Sequence, residues 1–196
     1  MKRTVLTTLV MIGAGVLMTT PAVAQPVNDT LKVMALNIGL FRFEITEALF
    51  DFGDVNSTGT VLAGTGAGVT GVGRTGGDDG GVYRASNAAN WTCGSAPRRT
   101  VTLFLNSMST FGATATDVTE DQLSVQVLAP VGNSQGFVPA TDKAASAGGS
   151  GDLINSMSVG FGGNNVDGTI DLQLTVDDDD GIGSMTWDLV ITADAP

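Results

Sequence analysis

The stretch Thr169-Ile170-Asp171-Leu172-Gln173-Leu174-Thr175-Val176 alternates strictly between polar and apolar side chains. A period of two places one face of a β-strand in a core and the other face in water. Strands of parallel sheets are usually apolar on both faces, so this alternation favours an antiparallel sheet. The stretch therefore predicts a half-buried antiparallel strand.

The same alternation recurs along the rest of the chain. It predicts strands over 101–105, 123–127, 157–161 and 187–192, two earlier ones over 31–38 and 40–52, and short ones over 82–84 and 90–93. The alternation in 40–52 breaks near Glu47-Ala48, which indicates a bulge or corner. We find no amphipathic helix of three or more turns. The chain therefore predicts an all-β fold, a single antiparallel β-sandwich over 25–196 with about eight or nine strands, immunoglobulin-like or jelly-roll in its connections.

Two segments have the composition of long loops. Residues 53–81 are dense in glycine, and residues 132–151 are rich in Gly, Ser and Ala. Cutting the chain at either segment would leave pieces too small for separate cores. We therefore expect long Gly-rich loops within one domain.

The end of the chain predicts a β-hairpin. Its arms are 169–176 and 185–192, and its connection is 177–184. A slip of one residue would bury Asp188 and expose three large apolar side chains, so the register is well specified. We expect Trp187, Leu189 and Ile191 to face the core, with Asp188 and Thr192 outward.

The N-terminus has the pattern of a secretory leader. Lys2 and Arg3 precede an apolar run over residues 5–18, and Ala22-Val23-Ala24 matches a small-x-small cleavage site. We expect a leader over 1–24, a mature chain that starts at Gln25, and an exported protein in the periplasm, at the cell surface or outside the cell. No later apolar run is long enough to cross a membrane, so no membrane span is expected after cleavage.

Charge and composition exclude several classes of function. The chain has 20 acidic and 9 basic residues and a net charge of −11, which disfavours nucleic acid as a partner. It has no histidine, which rules out Ser-His-Asp and Cys-His catalysis and His-ligated zinc. The single cysteine, Cys93, cannot form an intramolecular disulfide, which leaves a buried thiol or an intermolecular bridge.

Two short motifs match enzyme signatures but lack the neighbouring helix or catalytic base that those signatures require. Residues 66–71 match G-x-G-x-x-G, but the glycine-rich sequence that follows cannot form the required helix. Residues 132–136 match G-x-S-x-G, but no histidine is present to activate the serine. Both motifs are typical of flexible turns.

The main polar cluster is a run of four aspartates before Gly181. Adjacent carboxylates repel each other unless water or a cation screens them, and Ca²⁺ prefers several oxygens from a flexible loop. An EF-hand register fails, because Val176 and Trp187 would occupy its first and twelfth positions. Two interpretations stay open: a solvated charge cluster, or a weak Ca²⁺ site. The candidate ligands are Asp177, Asp178, Asp179 and Asp180, joined by Asp78, Asp79 or Asp167 from other loops.

Two segments resemble bacterial exported β-sandwich subunits of the fimbrial and spore-coat type. They are Leu49-Phe50-Asp51-Phe52-Gly53-Asp54-Val55 and Trp187-Asp188-Leu189-Val190-Ile191-Thr192-Ala193. The resemblance implies export and assembly into a filament or coat, with donated strands as one mode of assembly. Many such subunits contain a disulfide, which this chain cannot form internally.

These observations favour a non-catalytic, exported structural or adhesive surface protein that associates with itself or with other surface proteins. The alternative is a β-sandwich module that binds carbohydrate or Ca²⁺. Trp91 and Trp187 are either core residues or platforms for sugar rings. A carboxylate-pair enzyme is the third class, but no pair stands out.

Overall fold

A computed structural model describes residues 27–30, 41–47, 49–74, 80–130, 133–160 and 165–195. This part of the chain contains thirteen strands and one 3-10 turn, Glu120–Gln122. In chain order the strands are β1 Val27–Thr30, β2 Phe41–Ile45, β3 Val69–Arg74, β4 Gly81–Ser95, β5 Arg99–Leu105, β6 Thr110–Ala113, β7 Leu123–Leu128, β8 Asn133–Ser134, β9 Val138–Pro139, β10 Asp152–Val159, β11 Val166–Val176, β12 Met185–Asp188 and β13 Val190–Asp194. None of the described segments is a helix long and apolar enough to cross a membrane.

The strands form two main sheets and a small third one. The first sheet has the order β1-β13-β5-β10-β8, and the second has the order β2-β4-β11-β7-β9, with β3 also paired to β4. Strands β6 and β12 form a separate two-stranded sheet. All of these strand pairs are antiparallel, which confirms the predicted all-β antiparallel fold. The strand count exceeds the predicted eight or nine, partly because two-residue strands carry no recognisable alternation.

The core lies between the two main sheets. It takes apolar side chains from both, including Val101, Leu103 and Ile191 from the first sheet and Tyr83 and Ile170 from the second. Alternation within β7 up to Val127, and within β11 from Thr169 to Val176, buries every second residue, as the sequence predicts. The two layers therefore form a β-sandwich.

Strand β4 is one fifteen-residue strand where the sequence predicted two short ones. The strand continues through a bulge at Asn87, which has a φ of 57°. The Asn87 N–H donates to Asp171 Oδ1 at 2.9 Å, and the β4–β11 register shifts between Ile170 and Leu172. The two extra residues of β4 at this shift interrupt the alternation that the prediction relied on.

Both predicted Gly-rich loops contain strands. Residues 53–81 include β3, and residues 132–151 include β8 and β9. A Cβ at Gly71 in β3 would lie 2.3 Å from the Gly59 carbonyl oxygen. Glycine at this position therefore permits close packing of two backbones, a role that composition alone does not distinguish from flexibility.

Trp91 and Cys93 on β4 are fully buried. Trp91 is 1% exposed, its ring centroid lies 6.2 Å from that of Phe43, and its Nε1 donates to the Leu128 carbonyl at 3.3 Å. Burial raises the pKa of Cys93 to about 12, so the thiol is neutral at physiological pH. The buried-thiol interpretation of Cys93 is therefore the one that fits, and Trp91 is a core residue.

The predicted C-terminal hairpin is wrong. Strand β11 pairs with β4 and β7 in the second sheet, whereas β13 pairs with β1 and β5 in the first sheet. Strand β12 pairs with β6. The chain between β11 and β13 thus crosses from one sheet to the other. Alternation specifies which face of a strand is buried but not which strand becomes its neighbour.

The predicted orientation of the last strands is partly correct. Leu189 and Ile191 are buried and Asp188 is exposed, as expected, but Trp187 is only partly buried. Thr192, expected outside, is 0% exposed and its Oγ1 accepts a hydrogen bond from Asn106 Nδ2 at 2.9 Å. The two faces of β13 are therefore both covered, a situation that a half-buried pattern does not predict.

The first described strand pairs within its own chain. Val27 to Thr30 lie opposite Ala193 to Val190 in an antiparallel register. Strand β2 ends at Ile45, close to the predicted break at Glu47-Ala48. The predicted leader over 1–24, the strand over 31–38 and Phe161 lie outside the described residues.

We predict that Trp91→Ala lowers the free energy of unfolding by about 3–5 kcal/mol, because it leaves a large cavity beside Phe43. Trp187→Ala is the matched control and should cost less than half as much, since Trp187 is already partly in water. Urea unfolding followed by circular dichroism measures both. Equal losses for the two variants would contradict the assignment of Trp91, rather than Trp187, to the core.

Candidate functional site

The four consecutive aspartates form a tight turn at the end of β11. The Asp180 N–H donates to the Asp177 carbonyl at 3.3 Å, and the Asp177 N–H donates to Asp180 Oδ2 at 2.7 Å. We call residues 177–180 the acidic loop. It begins the crossing between the sheets rather than forming the tip of a hairpin.

Three of the four carboxylates converge. Asp177, Asp179 and Asp180 each offer an oxygen within 4.8 Å of the other two, which is close enough for one metal ion to bridge them. Asp178 points elsewhere and forms an ion pair with Arg74 on β3. The Ser57 hydroxyl and the Arg74 guanidinium hold the pKa of Asp178 below its ordinary value. Asp178 therefore fastens the loop to β3 and does not belong to the convergent group.

The other predicted ligands do not join this group. Asp167 lies in β11 ten residues before Asp177, and an extended strand of that length spans about 33 Å. Asp78 and Asp79 lie outside the described residues. Among the described carboxylates, the candidate metal centre is thus reduced to Asp177, Asp179 and Asp180.

Gln122 is the site residue that the sequence analysis missed. Its Nε2 donates to Asp177 Oδ2 at 3.0 Å and to both carboxylate oxygens of Asp180, at 2.8 and 3.0 Å. Its Oε1 accepts from the Thr119 N–H at 3.1 Å, which fixes the orientation of the amide. The signal was present, since Thr119-Glu120-Asp121-Gln122 has the spacing of a capping box.

Partial burial raises the pKa of Asp180, and the neighbouring charges of Asp177 and Asp179 add to this effect. The hydrogen bonds from the Asp177 N–H and from Gln122 act in the opposite direction. Gln122 thus compensates only part of the cost of holding these carboxylates together.

The acidic loop borders a large cleft. Two chain segments, 49–57 and 181–189, form its walls, and Leu123, Leu172 and Leu174 lie beneath them. The volume of the cleft is about 1110 Å³. We call this space the wall cleft. It exists because the crossing segment leaves the second sheet after β11 and reaches the first sheet only at β13.

In the part of the chain that the structure describes, the lining of the wall cleft combines apolar side chains with negatively charged ones. Ile182 is fully exposed, Leu49 is 75% exposed and Leu62 is 37% exposed, although all three are large apolar residues. Trp187, stacked at 5.0 Å from Phe111, adds a partly exposed ring. Among the described residues, the charged ones that line it are all aspartates, namely Asp51, Asp54, Asp177, Asp178, Asp180 and Asp188.

The two enzyme-like motifs have no catalytic geometry. Ser134 lies in β8, paired with Ile154 of β10. The segment 66–71 runs into β3 and not into a helix. Each motif thus lies partly in a strand, whereas the sequence predicted flexible turns for both.

Comparisons of this chain with protein-family models, with curated proteins and with solved structures give no match.

We predict that Asp180→Asn is more stable than the wild type at pH 7. The raised pKa means that the folded state binds more protons than the unfolded state above the ordinary pKa of 3.8, so the free energy of unfolding falls as pH rises through that interval. Asparagine keeps the acceptor for Gln122 without the charge. Thermal melts of both proteins from pH 2 to 7 should show the advantage disappear below the ordinary pKa.

Asp178→Asn is the control of opposite sign. The lowered pKa of Asp178 means that its stabilisation is present above the ordinary pKa of 3.8 and is lost as pH falls through the folded-state pKa. This variant should be less stable than the wild type at pH 7 and equal to it in acid. The same sign for both variants would show that the two carboxylates do not have the environments described.

Proposed function

We propose that this chain is an exported, non-catalytic structural or adhesive surface protein, and that it serves as a subunit of an extracellular filament or coat. The leader pattern of residues 1–24 supports export. The β-sandwich and its acidic surface support a structural or adhesive role.

The observation that carries the proposal is the position of β1. It starts at Val27, two residues after the expected mature start at Gln25, and it is paired along its whole length with β13. A leader joined directly to a paired strand supports export of a complete sandwich. It also favours association of whole subunits over donation of residues 27–30 to a neighbour.

The contacts made by the aspartates of the acidic loop support a non-catalytic role. Asp178 is paired with Arg74, and Asp177 and Asp180 accept hydrogen bonds from Gln122. These contacts join the acidic loop to β3 and to the 3-10 turn, as expected of a structural cross-link. The chain offers no histidine to act beside them as a general base.

Fractionation of the producing cells tests this proposal. We expect the protein in the surface or extracellular fraction, with Gln25 at its N-terminus, and we expect negative-stain microscopy to show a surface layer or filament that deletion of the gene removes. A monomeric protein without a surface fraction, or one that keeps residues 1–24, would contradict the proposal.

A Ca²⁺-binding module is the second candidate, and the convergence of Asp177, Asp179 and Asp180 favours it. The carbohydrate-binding form of this alternative rests on Trp187 alone, because Trp91 is buried.

For this second candidate, millimolar Ca²⁺ should raise the melting temperature, since a ligand bound only to the folded state stabilises it by mass action. Asp179→Asn should abolish the rise, while Asp178→Asn should keep it, because Asp178 faces Arg74. An equal rise with NaCl at matched ionic strength would show that the acidic loop is a charge cluster screened by salt and not a Ca²⁺ site.

A further inference from the structure

We propose that the outer edge of β6, the edge that faces away from β12, is a self-association surface. A second copy of this chain adds its own β6 there, antiparallel to the first, around a two-fold axis at Gly112. The two small sheets then join into one sheet with the order β12-β6-β6-β12. The inference goes beyond the proposed function, because such a dimer forms wherever the protein acts.

The first argument is that the backbone groups along this edge make no hydrogen bond. Thr114 N–H donates to the Ser184 carbonyl at 2.8 Å, so residue 114 turns its backbone groups toward the β12 side. This direction reverses at each residue of an antiparallel strand, so the N–H and C=O groups of Phe111 and Ala113 point away from β12. Those groups take part in none of the described hydrogen bonds, and among the described strands β6 pairs with β12 alone. The edge is therefore able to accept a further strand.

The second argument is a glycine within β6 that the fold of a single chain does not require. Glycine weakens the interior of a strand and usually marks a positive φ, a bulge or the close approach of another backbone. Gly112 has no positive φ and lies opposite Thr186 in a register without a shift. A Cβ added at Gly112 would meet no described atom within 4 Å. A second molecule would supply the close approach that this glycine permits.

The third argument is charge, and it favours another copy of the chain as the occupant. No charged residue occurs between Arg99 and Asp117, in a chain whose net charge is −11. Two like-charged copies repel each other, so they make close contact most easily where neither surface carries charge. Thr110, Gly112 and Ala113 are exposed, and the strand has none of the lysines or prolines that protect exposed edges from pairing.

The register of the dimer follows from the groups that point outward. Antiparallel pairing places Phe111 of one copy opposite Ala113 of the other, and each such pair exchanges both of its backbone hydrogen bonds. The two-fold axis repeats this pair, as in any isologous interface. Gly112 then faces Gly112 of the second copy as a non-hydrogen-bonded pair, whose Cα atoms lie about 4.5 Å apart. This is the closest spacing in an antiparallel sheet, and it falls on the glycine.

Sedimentation equilibrium of the purified protein, at concentrations up to about 1 mM, tests the proposal. We expect a monomer–dimer equilibrium. Gly112→Glu should weaken dimerisation by at least about fivefold, because it places two like charges directly opposite each other. Gly136→Glu is the matched control and should leave dimerisation unchanged. Gly136 is also exposed, has no positive φ and has no described atom near an added Cβ, but it lies outside β6. Thermal melts followed by circular dichroism check that both variants fold.

Cysteine variants test the register. The Cα spacing expected at Gly112 is within the range that a disulfide spans, so mild oxidation should convert Gly112→Cys into a covalent dimer. Thr110→Cys is the register control and should not crosslink, because the proposed pairing places Thr110 opposite Thr114 and not opposite itself. The native Cys93 is buried and should stay reduced in all of these variants.

Several outcomes would overturn the proposal. A monomer at every concentration, or equal weakening by Gly112→Glu and Gly136→Glu, would show that β6 does not pair with a second copy. Crosslinking of Thr110→Cys as readily as Gly112→Cys would refute the two-fold axis at Gly112. A dimer with the expected crosslink but without a surface fraction would support this inference and contradict the proposed function alone.

Discussion

The pairing of β11 with β4 on one side and with β7 on the other is the interaction on which the rest of the structure depends. Ten residue pairs join β11 to β4, and this ladder carries most of the inner face of the second sheet, including Tyr83, Ile170 and Leu174. It also decides where β11 ends. Val176 and Gly81 form the last pair of this ladder, so the aspartates that follow leave the sheet together.

The crossing between the sheets connects this constraint to the candidate functions. A chain that leaves one layer and enters the other must pass the end of the sandwich, outside the two main sheets. Here that passage produces the acidic loop, the short strand β12 and the wall cleft. Gln122 and Arg74 offset part of the free-energy cost of placing these carboxylates close together. The raised pKa of Asp180 reflects the part that is not offset. Features that look separate in sequence thus have one structural origin.

The sequence predicted what depends on local periodicity. The antiparallel all-β class, most strand positions and the buried face of β11 follow from alternation, and the burial of Leu189 and Ile191 follows from it too. The pairing partners of the strands do not follow from alternation, because β11 and β13 have the same pattern whether they pair with each other or lie in different sheets. The burial of Thr192 depends on Asn106, which is distant in sequence. The candidate site was located by composition at residues 177–180, but its geometry depends on Gln122 and Arg74, whose approach is set by tertiary structure.

The central claim is that β11 and β13 belong to different sheets, and backbone NOEs measured by NMR on the isotope-labelled protein test it most directly. The account predicts cross-strand NOEs between Leu174 and Tyr83 and between Ile191 and Leu105, as the observed registers require. Cross-strand NOEs between the residues of 169–176 and those of 185–192, in the descending order of a hairpin, would contradict it and would remove both the crossing and the cleft that depends on it.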